Sequence, residues 1–177
     1  MDTPAKTGDA VQILSELLTK VNPVPSTALF SSEWRPRRAL ICHPDPSVRT
    51  RLVEHFSTAR EFEVYAADRL EPALNMLREG RINIIVFDSY FDPDQRGTEV
   101  LRRYIEQLKP KSRRQLYVVL LAPNYRTLDP NAAFLEAVNA VVSSDELTTL
   151  RPALERSLRE YNLLYKTFNQ VTGNQPL

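Results

Sequence analysis

The side chains able to do chemistry in this chain stand at the ends of apolar runs. Asp88 closes Ile82-Asn83-Ile84-Ile85-Val86-Phe87-Asp88, and His43, Pro44 and Asp45 follow Ala39-Leu40-Ile41-Cys42. Both runs read as strands buried on two faces, as parallel strands in an open α/β sheet are. In such sheets ligands bind outside the carboxyl ends of the strands, which is where Asp88 and His43 stand. One imidazole with the carboxylates of Asp45 and Asp88 matches the donor preference of a transition-metal ion. Asp45 and Asp88 with Asp92 or Asp94 would instead suit a hard cation held through oxygen. Against both stand plainer roles: a strand-end Asp that caps the following loop, and a His hydrogen-bonded to its neighbours. The plainer roles carry more weight, so neither a metal nor a cofactor is expected.

The elements that must position these groups follow a regular rhythm. From Arg38 onward, strand and helix alternate. Asp45-Pro46 supplies a capping carboxylate and a proline at the first helical position, followed by an inner face of Val48, Leu52 and Phe56. Phe62 to Ala66 is the second strand, and a helix on Leu70, Leu74 and Leu77 ends at Gly80, the expected left-handed position. After the Asp88 strand, a helix carries Val100, Leu101, Tyr104, Ile105 and Leu108 and stops at Pro110. Tyr117–Leu121 and Ala140–Val142 complete five strands, with a short helix on Phe134–Val138 between them and a long helix at the end. Strands each followed by a helix require right-handed crossovers, hence a parallel sheet covered on both faces. The fold class expected is α/β: a flavodoxin-like five-stranded parallel sheet with an N-terminal helical segment and an extended C-terminal helix. Residues 1–37 form the helix (Val11, Ile13, Leu14, Leu17, Leu18, Val21) and a Pro-containing linker, 38–160 the domain, and 161–177 the extension of the last helix and the tail.

Composition removes several function classes. With only four glycines, none close together, neither a Walker loop nor a dinucleotide fingerprint can form. One Cys and two His give no metal-ligand spacing, and lone Cys42, inside an apolar run, reads as a buried, inert thiol in a reducing compartment. The net charge of +1 gives no field to draw nucleic acid or a membrane surface. No apolar run approaches the roughly 18 residues of a membrane span, and Met1–Gly8 lacks a signal-peptide layout. A cytoplasmic protein with no nucleic-acid and no membrane partner is expected.

Residues 38–160 resemble the receiver domain of bacterial two-component response regulators. The resemblance rests on "ALICHPDPSVRTRL" after the first strand, "EVYAADRLEPALNML" across the second strand and helix, and "INIIVFD" for the third strand. It implies a phosphoacceptor aspartate at Asp88, two acids after the first strand that hold magnesium, a Thr or Ser after the fourth strand and a Lys after the fifth. Here His43 and Pro44 replace the acids and Asp45 falls one place beyond them. Ala122 replaces the hydroxyl residue, Ser143 the lysine and Ser144 the proline that usually follows it. Ala140 lies near the aromatic switch position, and the loop after Asp88 is one residue longer. Phosphoryl transfer depends on positioning and charge neutralisation. Losing one preorganised charge-stabilising group costs about 3 kcal/mol of barrier, so Asp88 is expected to be silent.

What remains is surface. Arg102, Arg103, Lys109, Lys111, Arg113 and Arg114 gather around the third helix, as a solvated helix end or a patch for an acidic partner. Ser143 and Glu146 form a capping-box pattern ahead of a helix starting near Arg151. Leu147, Leu150, Leu154, Tyr161, Leu164, Phe168 and Val171 then follow steps of three and four, with Ser157 the one polar member. This seam, with Leu154, Tyr161, Leu164 and Phe168 as its interaction surface, runs past the expected end of the domain. Its partner is the N-terminal helix, a second copy of the chain or another protein. No effector domain is expected in the residues that remain. The reading is a non-catalytic pseudo-receiver that acts by protein–protein interaction in bacterial signalling. The alternative is a single-domain response regulator phosphorylated on Asp88 at an atypical site.

Overall fold

Five apolar runs form five parallel strands, in the order β2-β1-β3-β4-β5. The computed structural model describes residues 36–57, 62–174 and 176–177; the N-terminal helix expected over 1–21 lies outside the described residues. The strands are β1 (Arg37–Cys42), β2 (Phe62–Ala67), β3 (Ile84–Asp88), β4 (Tyr117–Leu121) and β5 (Ala140–Val142). The helices are α1 (Pro46–Ser57), α2 (Leu70–Arg78), α3 (Gly97–Glu106), α4 (Pro110–Arg114), α5 (Pro130–Leu135), α6 (Leu150–Leu164) and α7 (Lys166–Thr172). None of these helices is long and apolar enough to cross a membrane.

Alternation along the strands builds two cores. Leu40, Ile85, Phe87, Val118, Leu120 and Val141 face a layer made by α2, α3 and α5. Ile41, Ile84, Val86, Val119, Leu121 and Val142 face α1 and α6. Both faces are covered, which is why the strands are apolar without a polar alternate. Three helices open on the same chemistry, proline at their first position. The carboxylate of Asp45 accepts from the N–H of Ser47 and Val48, and that of Asp129 from Asn131 and Ala132. Pro110, expected only as a stop, thus also starts the short α4. Gly80 takes φ +67 after α2 as expected. The short helix before β5 lies earlier than Phe134–Val138: Ala132 and Ala133 are its buried residues, and it ends before Ala137 at φ +53.

The basic cluster divides into structural and free cations. Arg113 donates to the carbonyl of Leu116 and to Asn139 Oδ1, both at 3.0 Å. Arg114 lies 4.4 Å over the Phe168 ring, and Arg102 pairs with Glu136. Arg103, Lys109 and Lys111 are exposed, with no ion pair among the described residues.

The C-terminal seam is covered by the domain itself. Leu154 is only 4% exposed and sits in the α1/α6 core, so it is no interaction surface. Ser157, the polar member of the seam, shares a hydrogen bond with the hydroxyl of Tyr117, a ring buried at the start of β4. Tyr161 meets the Tyr117 ring edge-on at 5.3 Å, and its hydroxyl donates to the carbonyl of Arg114 at 3.0 Å. The expected continuous helix breaks at Tyr165, whose ring packs 4.7 Å from Tyr161 and 6.5 Å from Phe168. Asn162 binds the backbone of Leu177, which is buried in the same core. Residues 161–177, expected as an extension, therefore fold back on the domain. Leu164 alone of the four expected surface residues stays fully outside, 76% exposed beside Leu163. The Ser143–Glu146 capping box does not form either. Glu146 accepts from Thr127 Oγ1 at 2.7 Å, Thr127 Oγ1 accepts from the N–H of Ser143, and the helix starts at Leu150.

The loop from Asp88 to α3 is tightly built. Asp92 and Arg96 both take left-handed backbone, at φ 44 and 51. A Cβ on Gly97 would lie 2.5 Å from the Phe91 carbonyl oxygen and 2.9 Å from Asp92 Cβ. Gly97→Ala is expected to destabilise the fold by about 1–3 kcal/mol, because backbone rather than a flexible side chain must yield. Urea unfolding of both proteins reads this as a lower midpoint.

Candidate functional site

Four strands bring their carboxyl ends to one edge of the sheet. β1 delivers His43, β3 delivers Asp88, and Ala122 and Ser143 follow β4 and β5, whose ends are joined by Ala122 N–H to Val142 O and Ser144 N–H to Ala122 O. Asp88 is buried. Its Oδ1 accepts from the N–H of Tyr90 at 2.7 Å, and its Oδ2 faces His43 Nε2 at 3.5 Å. The plain reading of a strand-end Asp that caps its loop is thus fulfilled.

His43, 8% exposed, is fixed from its other side. Its Nδ1 accepts from the N–H of Asp45 at 3.1 Å, which assigns the neutral ring's proton to Nε2, facing Asp88. Burial pushes the pKa of His43 below its ordinary 6.5, against the raising influence of the Asp88 and Asp45 charges; the Arg49 cation adds to the lowering. Arg49 also holds this turn, donating to the carbonyls of His43 and Pro44 at 2.7 and 3.0 Å. Pro44 is exposed and brings no side-chain oxygen.

The remaining acids face elsewhere. Asp45 accepts from Ser47 Oγ and from the first N–H groups of α1, which holds its carboxyl below the usual range. Asp92, 2% exposed, accepts from the N–H of Leu70 at 2.8 Å and from Arg69 at 3.2 Å, so it caps α2 from a distant loop. Asp94 is exposed near Arg69. Among the described residues no three His, Cys, Asp or Glu are grouped to hold a metal ion. The two metal arrangements raised by the sequence, His43 with Asp45 and Asp88 or Asp45 and Asp88 with Asp92 or Asp94, are therefore not assembled. Cys42 is buried, and desolvation drives its thiol far above the ordinary range, as expected for an inert sulfur.

Sequence reasoning missed the residues that tie this edge together. Thr98 Oγ1 donates to the carbonyl of Asp88 at 2.9 Å and accepts from the N–H of Phe91. Glu136 accepts from both Tyr125 and Arg102, joining the β4–α5 loop to α3. Neither carries a local sequence signal, since each bridges elements distant along the chain.

Holding His43 neutral gives stability above the unfolded pKa. It is lost as pH falls below about 6.5, because the unfolded chain then binds a proton that the folded protein excludes. Thermal melts at about pH 7.5 and 5.5 should show a larger drop for the unmodified protein than for His43→Gln, with His55 common to both. An equal or smaller drop would mean that His43 charges in place against Asp88.

No family model and no curated protein matches the chain. Solved structures do. The chemotaxis response regulator CheY4 of Vibrio cholerae is 17% identical, with TM-score 0.57, covering 70% of this chain and 100% of that one. A signal receiver domain of an HD domain-containing protein from Pseudomonas fluorescens is 18% identical, with TM-score 0.56, covering 72% and 98%. A probable two-component response regulator/GGDEF domain protein is 16% identical, with TM-score 0.57 and 71% of this chain covered; the chain spans 50% of that protein's length. Sheet order, helix layers and these likenesses agree: the chain has the fold of response-regulator receiver domains.

Proposed function

We propose that this chain is a pseudo-receiver, a non-enzymatic module that works by protein contact in the cytoplasm of a bacterium, without a phosphoryl step. The observation that carries the reading is His43 seated against Asp88, with Pro44, Ala122 and Ser143 following the ends of β1, β4 and β5. A phosphoryl group arriving at Asp88 needs cations around its equatorial oxygens. The group facing the Asp88 carboxylate is the His43 imidazole, whose charging burial opposes, and the nearby Arg49 guanidinium is held by the carbonyls of His43 and Pro44. Asp45 is occupied as a helix cap, Pro44 offers no side-chain oxygen and its carbonyl is taken by Arg49, so these positions present magnesium with no carboxylate pair.

Protein contact is supported by apolar side chains that the domain leaves in water. α5 exposes Phe134 and Leu135, and the C-terminal end exposes Leu163, Leu164 and Val171. Two groups of this kind on one small domain fit a binding surface better than a solvated one.

Incubation with acetyl phosphate and magnesium should leave the intact mass unchanged. A phosphoryl adduct that vanishes in Asp88→Asn would overturn the reading and establish the working response regulator instead. The self-contact at the C-terminal end has its own measurement, sedimentation equilibrium at tens of micromolar. A dimer that Leu164→Glu converts to a monomer is expected if two copies meet there. A monomeric unmodified protein would assign the exposed leucines to a different partner.

A further inference from the structure

Beside Asp88, on the α3/α5 side of the sheet, lies a cleft of about 310 Å³ that the proposed function does not use. Ser89 and Leu120 line it from the strands, Thr98 and Arg102 from α3, and Ala122 and Asn124 from the β4–α5 loop. Tyr125 and Glu136 also border it, as does exposed Tyr90. The size reaches the lower end of ordinary small-molecule sites.

Three observations say what could sit there. First, the hydroxyl of Ser89 is buried without a hydrogen-bond partner. A buried polar atom in that state calls for an occupant, and a serine hydroxyl can turn about a single bond to meet one. The exposed Asn124 amide, also in the lining, makes no hydrogen bond among the described residues, which leaves it a donor and an acceptor for an occupant. Second, the charges bordering the cleft cancel. One Glu136 oxygen takes the Arg102 guanidinium and the other takes the Tyr125 hydroxyl, so an ionic ligand would meet no unpaired counter-charge. Third, two tyrosines supply aromatic surface of the kind that holds a flat ring.

We infer that this cleft binds a small, uncharged, planar heteroaromatic molecule bearing an amide-type edge, which pairs with Ser89 and Asn124. The inference does not depend on whether Asp88 is silent. Glu136, which borders the cleft, follows directly on the exposed Phe134 and Leu135, so occupancy reaches the apolar surface of α5 through one side chain.

The test is an amide-proton NMR titration of the full chain with nicotinamide, uracil and adenine as probes and benzoate as the charged control. At least one neutral probe should give saturable shifts at Ser89, Tyr90, Thr98, Asn124 and Tyr125, with benzoate giving none. Ser89→Ala should weaken that binding about tenfold, as loss of one hydrogen bond does. Asn124→Leu, at an exposed position that the fold tolerates, gives an independent second reading of the same size. No saturable shift up to millimolar probe would overturn the inference. So would equal shifts by benzoate, or unchanged affinity in both variants. Phosphoryl-adduct mass spectrometry on the same sample reads the function of Asp88 separately, so either conclusion can fail without the other.

Discussion

Because the sheet is all-parallel and covered on both faces, strands run into helices at their carboxyl ends, and each helix begins with backbone N–H groups that need partners. Those partners have to come from the same narrow edge where the fold keeps its chemistry. In this chain the carboxylates take that work. Asp45 serves α1, Asp129 serves α5, and Asp92 reaches across from another loop to serve α2. A negative charge at a helix start is favoured by the helix dipole as well as by the hydrogen bonds. An acid so placed cannot at the same time turn its oxygens toward a metal beside Asp88. The shortage of metal ligands and the carboxylate capping of α1, α2 and α5 are thus one arrangement seen from two sides.

The sheet was readable in the sequence because burial leaves a simple mark: short apolar runs, each ending in Asp or followed within three residues by Asp or Pro. The same logic placed Asp45 at the start of α1 and Gly80 at the end of α2. It also brought Asp88 and His43 to one edge, since both end neighbouring strands. The C-terminal seam was misread for a physical reason. Helical periodicity shows that Leu154, Tyr161 and Phe168 share a face, but not which surface that face meets. Tyr117, at the start of β4, and Arg114, just before it, supply that surface, and neither marks itself locally as a partner for residues about 50 positions on. The basic cluster was legible only in part: Arg103, Lys109 and Lys111 are exposed, as a solvated helix end requires, but Arg113 and Arg114 are occupied by carbonyls and a ring that only the fold brings near. Asp92 was noticed as an acid, yet its real partner, the N–H of Leu70, is 22 residues away.

Within the site, replacing acids by His43-Pro44 changes the electrostatics in kind. A pair of acids would add to the charge of Asp88, and a metal would have to balance all three. A neutral imidazole adds no charge and turns an N–H toward the buried Asp88 carboxylate. Burial then reinforces the state, because desolvation keeps His43 uncharged. The edge is closed by neutral contacts where the resemblance implies charge, and the proposal of a domain without a phosphoryl step rests on that difference.

The ends of the strands are nevertheless joined to one another. The N–H of Ser89 donates to Leu121, that of Ala122 to Val142, and that of Ser144 back to Ala122. Main-chain bonds of this kind hold β3, β4 and β5 in fixed register and leave little freedom for one strand end to move alone. Freedom lies in the next layer out, where Glu136 is held by two side chains, Arg102 from α3 and Tyr125 from the β4–α5 loop. A side-chain junction can exchange partners at far lower cost than a buried ladder can break. Glu136 is thus a side-chain joint between α3 and the β4–α5 loop, set one layer outside the main-chain bonds that keep the strand ends in register.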